Sequence, residues 1–285
     1  MTVNWVVRSG SRRLVVAGPP HMAVWWPALL AQIPAAYGGP VEVGNELAAL
    51  TLTDGTTQAD TRRIINARFH AEHLSNDTLS VHGVAVAKAG RAMLLIGDYG
   101  AGKSLTGLAM ILSMGWSPVA GDTCLVRLNS RGLFDVVGGT RAYVLRRSAI
   151  EQWFPTLALG AADGDRVDLA ESLPGSDSNT APRLAGIMIV AVDGGGFASP
   201  PIPCGEQVAG NALYRASGHL LAKVLDDAAA DPLSLLEGSE LARRRLRLVR
   251  RLTSTVRCWW VRGEPGGMAA AVDAVTREED QRWVS

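Results

Sequence analysis

One segment of the chain combines glycine, lysine and serine at a spacing that suits chemistry on phosphates. It follows an apolar run, residues 92–96, and precedes a helix-like segment, residues 105–114. Glycines at fixed intervals let backbone N–H groups approach phosphate oxygens, which is the physical basis of the P-loop motif. We therefore predict a nucleoside triphosphate site formed by Gly97, Asp98, Tyr99, Gly100, Ala101, Gly102, Lys103 and Ser104.

Lys103 and Ser104 have the most direct chemical roles in this loop. The Lys103 ammonium is expected to reach the outer phosphates as a point charge. The Ser104 hydroxyl is placed to ligate Mg²⁺, which prefers oxygen ligands and phosphate partners. The N-terminus of the following helix adds positive dipole character where the anion would lie. The loop thus predicts a nucleotide bound together with Mg²⁺.

Short apolar runs alternate with helix-like segments on both sides of the loop, which indicates an α/β fold. Residues 184–192 form the most continuous apolar run of the second half and predict a buried strand that ends at Asp193. A turn cluster between two β-prone runs predicts a hairpin within residues 4–17. We divide the chain into an N-terminal α+β section, residues 1–75, and a P-loop domain, residues 76–285.

Composition limits the classes of partner and the compartment. The chain has 285 residues, is 47% hydrophobic and has a formal net charge of +1, so no overall field favours nucleic acid or an anionic membrane. Three widely spaced cysteines fit a reduced environment better than a disulfide scaffold. No apolar run is long enough to span a bilayer, and the N-terminus lacks a secretory signal pattern. We expect a cytoplasmic protein.

Two dipeptides flank the loop and narrow its chemistry. His82-Gly83 precedes it, and Gly121-Asp122 follows the helix after it. With the loop itself, this arrangement over residues 79–128 resembles the catalytic domain of HPr kinase/phosphorylase and is similar to the HPr-kinase-like enzymes of natural-product clusters. The resemblance implies a phosphoenolpyruvate-carboxykinase-like P-loop fold, with a mixed sheet flanked by helices, and ATP as the phosphoryl donor.

Several positions depart from the pattern of that family. The family has two consecutive aspartates where this chain has Gly121-Asp122, and the first of the two is the one assigned to the acceptor hydroxyl as base. Asp122 keeps the second position, and we expect it to serve the acceptor, the Mg²⁺ or both. Asp193 is the other candidate metal carboxylate, with a turn residue before glycine as the alternative. Tyr99 occupies a position where the family has serine.

Two further residues complete the predicted catalytic set. His82 matches the His-Gly pair of the family, which implies that it polarises a phosphate or orients the base. Arg141 follows Gly138-Gly139-Thr140 at the junction between a predicted strand and a helix predicted over residues 143–154. Arginines stabilise charge on a phosphoryl group in transfer, so Arg141 is the first candidate for that role. The catalytic set is therefore Asp122, His82, Lys103 and Arg141, and the metal set is Ser104, Asp122 and Asp193.

Two polar groups are interpreted without a catalytic role. His70 and His73 share one face of a predicted helix, residues 59–75, and lack a third ligand in a recognisable pattern. We therefore predict a solvated face there. The arginine-rich helix predicted over residues 240–252 is interpreted as a solvated or subunit-interface face.

The function that follows is an ATP-dependent kinase that phosphorylates a hydroxyl of a small molecule or peptide. Two alternatives stay open: an HPr-type protein serine kinase/phosphorylase, and a nucleotide-binding sensor subunit without catalysis. The first lacks support because the second signature of that family is not found after Gly138. The second gains support from the missing aspartate at Gly121. Relatives in the family form oligomers, so the resemblance also implies self-association.

Overall fold

A computed structural model describes residues 2–41, 48–159, 164–175, 180–194 and 196–284, with side chains described as far as Arg277. It is a mixed α/β structure with two main sheets and a short two-stranded one. No helix in the described part of the chain is both long and apolar enough to cross a membrane. The sequence also predicts a strand over residues 47–53 and a polar connection over residues 160–182, and residues 47, 160–163 and 176–179 of these two segments lie outside the described residues.

The first sheet has four strands in the order β3-β1-β2-β4. The strands are β1 Val3–Ser9, β2 Arg12–Gly18, β3 Ala36–Val41 and β4 Leu50–Thr51, and the helices of this region are α1 Trp26–Ala31 and α2 Gln58–Leu74. Strands β1 and β2 pair in antiparallel register across Gly10, which confirms the predicted hairpin. Its core includes Trp5 and Trp26, whose ring centroids lie 4.6 Å apart, together with Ile65 and Phe69 of α2.

The second sheet is the larger one and carries the glycine-rich loop. Its strands are β5 Thr78–His82, β6 Val84–Lys88, β7 Arg91–Ile96, β8 Ser117–Ala120, β9 Thr123–Leu128, β10 Phe134–Gly139, β13 Arg183–Val192, β14 Ile202–Pro203 and β15 Cys258–Gly263. A separate ribbon pairs β11 Val144–Arg146 with β12 Arg166–Asp168. The remaining helices are α3 Lys103–Met114, α4 Arg147–Trp153, α5 Glu206–Ser217, α6 Ser239–Thr255 and α7 Pro265–Val284.

Strand β13 is the centre of the large sheet. The strand order is β5-β9-β10-β13-β7-β6-β8, and β13 runs parallel to β7 on one side. On its other side, the start of β13 pairs with β10 in antiparallel orientation and its second half pairs with β15 in parallel orientation. The carboxyl ends of parallel strands meet at one edge of a sheet, where ligands of α/β proteins bind. The ends of β7, β13 and β15 therefore bring the loop after Ile96 close to Val192 and Gly263.

Helices cover both faces of this sheet, and the alternation along β7 explains why. Leu94 and Ile96 point into a cluster formed with α5 and α6, whereas Met93 and Leu95 point into a cluster formed with α3 and α7. Successive side chains of a strand face opposite sides, so a strand buried on both faces is apolar throughout. The apolar runs at residues 92–96 and 184–192 are strands, as predicted.

The small sheet packs against the large one through main-chain and side-chain contacts. The backbone N–H of Ala35 donates to Gly139 O at 2.8 Å, and that of Ala142 donates to Ala31 O at 3.0 Å. His73 at the end of α2 lies between the two sheets, 3.0 Å from Ser80 Oγ and 3.1 Å from Ser9 Oγ. The division at residue 75 stays a prediction, but the two parts share these buried contacts.

Two predictions about local structure are wrong. His70 and His73 are not solvated: both are almost fully buried, because α2 lies between the small sheet, the large sheet and α6 rather than on the surface. The helix predicted over residues 143–154 begins only at Arg147, because residues 144–146 pair with β12 as a strand. Tertiary pairing here overrides a local helical pattern.

Candidate functional site

The glycine-rich loop joins β7 to α3 and lies against the end of β13. The N–H of Val192 donates to Ala101 O at 2.9 Å, and a Cβ added at Gly102 would stand 2.7 Å from the Cβ of Val192. Gly102 also has φ +87°, a left-handed conformation that side chains disfavour. Glycine is thus required at residue 102 by both conformation and space.

Lys103 is the first residue of α3 and folds back over the loop. Its Nζ donates to the carbonyl oxygens of Gly97 and Asp98, at 3.1 Å each, and the residue is 7% exposed. Burial lowers the pKa of Lys103, while the carboxylates of Asp122 and Asp98 favour its charged form. The ammonium group is therefore held inside the loop, where an anion entering the loop would meet it.

Ser104, Tyr99 and Asp98 complete the loop. The Ser104 hydroxyl makes no hydrogen bond with a described residue, and its carbonyl accepts from the Tyr143 hydroxyl at 2.8 Å. The Tyr99 hydroxyl accepts from Arg166 Nη2 at 2.9 Å although the Tyr99 side chain is 72% exposed. Asp98 pairs with Arg215 on the surface, so its carboxylate faces away from Lys103 Nζ and only its carbonyl contacts that group.

Asp122 lies in the turn between β8 and β9, and its backbone is fixed on both sides. Its N–H donates to Thr140 Oγ1 at 2.8 Å, and its carbonyl accepts from the N–H of Gly83 at 2.9 Å. The side chain is 63% exposed, so the carboxylate is open to a ligand. A carboxylate that is open to ligands but attached to a fixed backbone suits a group that must orient a ligand or accept its proton.

Two stacked histidines lie beside the Asp122 carboxylate. His82 Nδ1 is 3.4 Å from Asp122 Oδ1, and the His82 ring stacks on His219 with a centroid distance of 3.9 Å. Burial lowers the pKa of His82 to about 4 and that of His219 to about 3, and His82 further disfavours a proton on His219. Both rings are thus neutral near pH 7, so the contact with Asp122 is not a full ion pair.

Arg62 and Lys223 bring further positive charge to the same carboxylate. Burial lowers the pKa of Lys223 and of Arg62, and in both cases Asp122 opposes the shift by favouring the charged form. We call Asp122, His82, His219, Lys223 and Arg62 the Asp122 cluster. Sequence analysis found only Asp122 and His82, because no local motif marks a lysine or arginine that the fold brings in from distant elements.

Gly121, which stands at the position of the missing aspartate, has no room for a side chain. A Cβ added there would lie 2.1 Å from the carbonyl oxygen of Ala142 and 3.0 Å from Tyr143 Cα. The Gly121 N–H also donates to Thr140 O at 3.0 Å, which holds the two segments together. The absence of a carboxylate at this position therefore follows from the backbone packing of residues 140–143.

Among the described contacts, neither Arg141 nor the Asp193 side chain touches a member of the Asp122 cluster. Arg141 is exposed and lines a cleft of about 1050 Å³ beside Gly121 and Thr140, to which no described residue of the glycine-rich loop contributes. The Asp193 carboxylate accepts from Arg262 Nε at the end of β13. The described residues contain no group of three or more His, Cys, Asp or Glu side chains that could hold a metal.

Three of the predicted catalytic residues therefore come together: Lys103, Asp122 and His82. The loop and the Asp122 cluster are adjacent, since Asp122 acts electrostatically on both Lys103 and Lys223. The roles assigned to Arg141 and Asp193 stay predictions. The chain matches no protein-family model and no curated protein, so the family resemblance rests on the sequence motifs alone.

Proposed function

We propose that the chain is an ATP-dependent kinase that transfers the γ-phosphoryl group to a hydroxyl of a small molecule or peptide. The observation that carries this proposal is the position of Asp122, an exposed carboxylate that interacts with the buried ammonium of Lys103. Phosphoryl transfer requires positioning and charge neutralisation more than covalent chemistry. A lysine in a glycine-rich loop and a carboxylate that acts on it electrostatically are groups that such a reaction needs.

The residues of the loop fit ATP and Mg²⁺ in their chemistry. Among the described residues, the acceptors of Lys103 Nζ are all backbone carbonyls, so phosphate oxygens can replace them. Ser104 offers a hydroxyl and Asp122 an open carboxylate, which suits Mg²⁺ because that ion is held by one or two protein groups plus phosphate oxygens. When bound, the ion would neutralise charge on the phosphates. We further propose the phosphoenolpyruvate-carboxykinase-like P-loop fold and a cytoplasmic location.

In this proposal Asp122 orients the acceptor hydroxyl and accepts its proton. Neutral His82 lies against the carboxylate and limits its freedom without neutralising its charge. Lys103 stabilises the negative charge of the phosphoryl group as it moves. Hydrogen bonds with Gly83 and Thr140 fix the backbone of Asp122. The barrier to phosphoryl transfer is therefore lowered mainly by orientation of the reacting groups.

A nucleotide-binding sensor is the second candidate, and Gly121 favours it. The first aspartate of the family pair is absent, and the contact with Ala142 leaves no room for one. A transfer assay separates the two candidates. Protein, Mg²⁺ and ATP labelled at the γ-phosphate are incubated with cell extract and with mixtures of hydroxyl-bearing metabolites, and labelled products are separated.

The kinase proposal predicts labelled product with the wild type and at least about 100-fold less with Asp122→Asn, as expected for loss of a general base. Nucleotide affinity measured without Mg²⁺ should change little in that variant, because Lys103 and the backbone of the loop are unchanged. Nucleotide binding with no transfer in any acceptor mixture would instead support the sensor.

A further inference from the structure

The side of the Asp122 cluster away from the loop contains positive charge that no described carboxylate pairs with directly. Lys223 makes no hydrogen bond or ion pair with a described residue, and Arg62 donates to the neutral Gln32 side chain. The neighbouring Arg63 differs, because it pairs with Asp60 and Asp226 at 2.7 Å each. Among the described residues, Arg62 and Lys223 thus form no direct ion pair with a carboxylate, although Asp122 acts on both electrostatically, whereas Arg63 forms two such pairs.

The segment that carries Lys223 is fixed at both ends. At one end His219 stacks on His82. At the other, the N–H groups of Asp226 and Asp227 donate to the Asp60 carboxylate at distances from 2.9 to 3.1 Å. This anchoring holds Lys223 near Arg62 although the two like charges repel, and the repulsion contributes to the lowered pKa of Lys223. An anion bound between the two side chains would offset this repulsion.

A cavity of about 420 Å³ lies beside Arg62. Four of its six lining residues are polar, namely Gln32, Thr57, Gln58 and Arg62, and Leu29 and Ala59 are the two apolar ones. The Thr57 hydroxyl also donates to Asp226 Oδ2 at 3.2 Å, which connects the cavity wall to the segment carrying Lys223. Pockets of roughly 300–1,000 Å³ typically bind small molecules, so this volume suits a metabolite.

We propose that the acceptor is a small hydroxyl compound carrying an anionic group, a carboxylate or a phosphate, held by Arg62 and Lys223 with its hydroxyl at Asp122. This proposal rests on the kinase function and names its substrate class. Arg62 links the cavity to the Asp122 cluster, because it lines the cavity and also interacts electrostatically with the Asp122 carboxylate. A guanidinium matches carboxylate and phosphate oxygens in two-point geometry, which fixes the orientation of the acceptor.

Calorimetric titration tests the proposal directly. Wild-type protein saturated with Mg²⁺ and a non-hydrolysable ATP analogue is titrated with glycerate, glycerol 3-phosphate and glycerol. Both anions should bind at least ten-fold more tightly than glycerol, and the tighter of the two shows whether carboxylate or phosphate is preferred. Arg62→Gln and Lys223→Met should each weaken anion binding at least ten-fold, with the affinity for the ATP analogue within two-fold of wild type.

Arg68→Gln is the matched control, since Arg68 is an exposed arginine on the same helix. An equal loss in this variant would mean that diffuse charge attracts the anion, and the proposal would fail. Equal binding of glycerol and the anions, or no anion binding at all, would also overturn it. If Arg62→Gln weakens the ATP analogue instead, Arg62 serves the donor phosphates and the acceptor site is wrong.

The titration is repeated without nucleotide, so the anion site is tested even if the chain binds no ATP. Absence of nucleotide binding then counts against the kinase function, and absence of anion binding in both conditions counts against the acceptor site. Thermal melts monitored by circular dichroism establish that each variant is folded before its affinities are compared.

Discussion

The two sides of the candidate site are built in different ways. The glycine-rich loop is one continuous segment between a strand and a helix, held by its own backbone and by the end of β13. The Asp122 cluster takes its residues from α2, from β5, from the turn after β8 and from the segment after α5. A continuous motif keeps its geometry through local conformation, whereas an assembled cluster depends on how separate elements dock. Mutations on the two sides should therefore have different effects on nucleotide affinity and on the rate of transfer.

The largest expected effect is on the loop side. Lys103→Ala removes the cation nearest the transferred group, and we expect transfer to fall by about 10³-fold or more. Nucleotide affinity should fall too, since the same ammonium meets the phosphates. Initial rates with labelled ATP measure the first effect, and calorimetry with an ATP analogue measures the second.

Lys88→Ala is the control for this prediction. Its ammonium donates to Met114 O near the end of α3, so the change removes a lysine charge away from the loop. Rates within two-fold of wild type are expected for it. A transfer rate of Lys103→Ala equal to that of the wild type would contradict the assignment of the loop as the phosphate site.

A pair of glycine variants tests how strictly the loop is defined. Gly102→Ala places a Cβ 2.7 Å from Val192 Cβ and strains a left-handed residue, so the free energy of unfolding should drop by about 3 kcal/mol. Gly100→Ala has the same kind of strain at φ +79° but no atom within 4 Å of the new Cβ, and about 1 kcal/mol is expected. Urea denaturation measures both, and equal losses would show that space at residue 102 is not limiting.

The Asp122 cluster should respond in transfer rather than in nucleotide affinity. His219→Ala removes the ring stacked on His82 and frees the side chain next to Asp122, and we expect transfer to slow by about ten-fold. Affinity for the ATP analogue should stay within two-fold, because the glycine-rich loop is unchanged. His21→Ala, an exposed histidine in the small sheet region, is the control. A parallel loss of nucleotide affinity would show that the two sides are not separable.

The docking of the two sheets, on which the cluster depends, should respond to pH. Burial lowers the pKa of His73 to about 4, so the unfolded chain binds a proton below pH 6.5 that the folded chain excludes. Stability from this group is complete above pH 6.5 and is lost as the pH falls toward 4, at about 1.4 kcal/mol per pH unit. His82 and His219 act in the same direction.

Urea denaturation at pH 7.5 and pH 5.5 measures this loss, and His73→Gln should reduce it. Stability that is higher at pH 5.5 than at pH 7.5 would contradict the buried, neutral state of these rings.

The difference between the two sides also decides what sequence alone could predict. The strands around the loop, the loop itself and the hairpin at Gly10 follow from local patterns, and the structure has them as expected. His82 and Asp122 could be named because each lies in a short motif near the loop. The contributions of Arg62, His219 and Lys223 arise from tertiary packing, and nothing in their local sequence distinguishes them from surface residues.

The errors have the same physical origin. His70 and His73 carry a polar pattern that predicts a solvated helix face, yet the fold encloses them with partners from distant segments, such as Glu237 for His70 and Ser9 for His73. A buried polar group is tolerated when it finds such partners, and these partners are invisible to a local pattern.

The contact between Gly121 and Ala142 sets a limit for protein engineering. Installing a second carboxylate beside Asp122, to imitate the paired aspartates of HPr kinases, is not a single substitution in this scaffold. Gly121→Asp would drive its Cβ into the carbonyl of residue 142, so the segment through Tyr143 would have to move, together with the hydroxyl that holds α3 at Ser104. Redesign of the proposed acceptor site would be easier from Arg62, whose side chain lines a cavity of about 420 Å³.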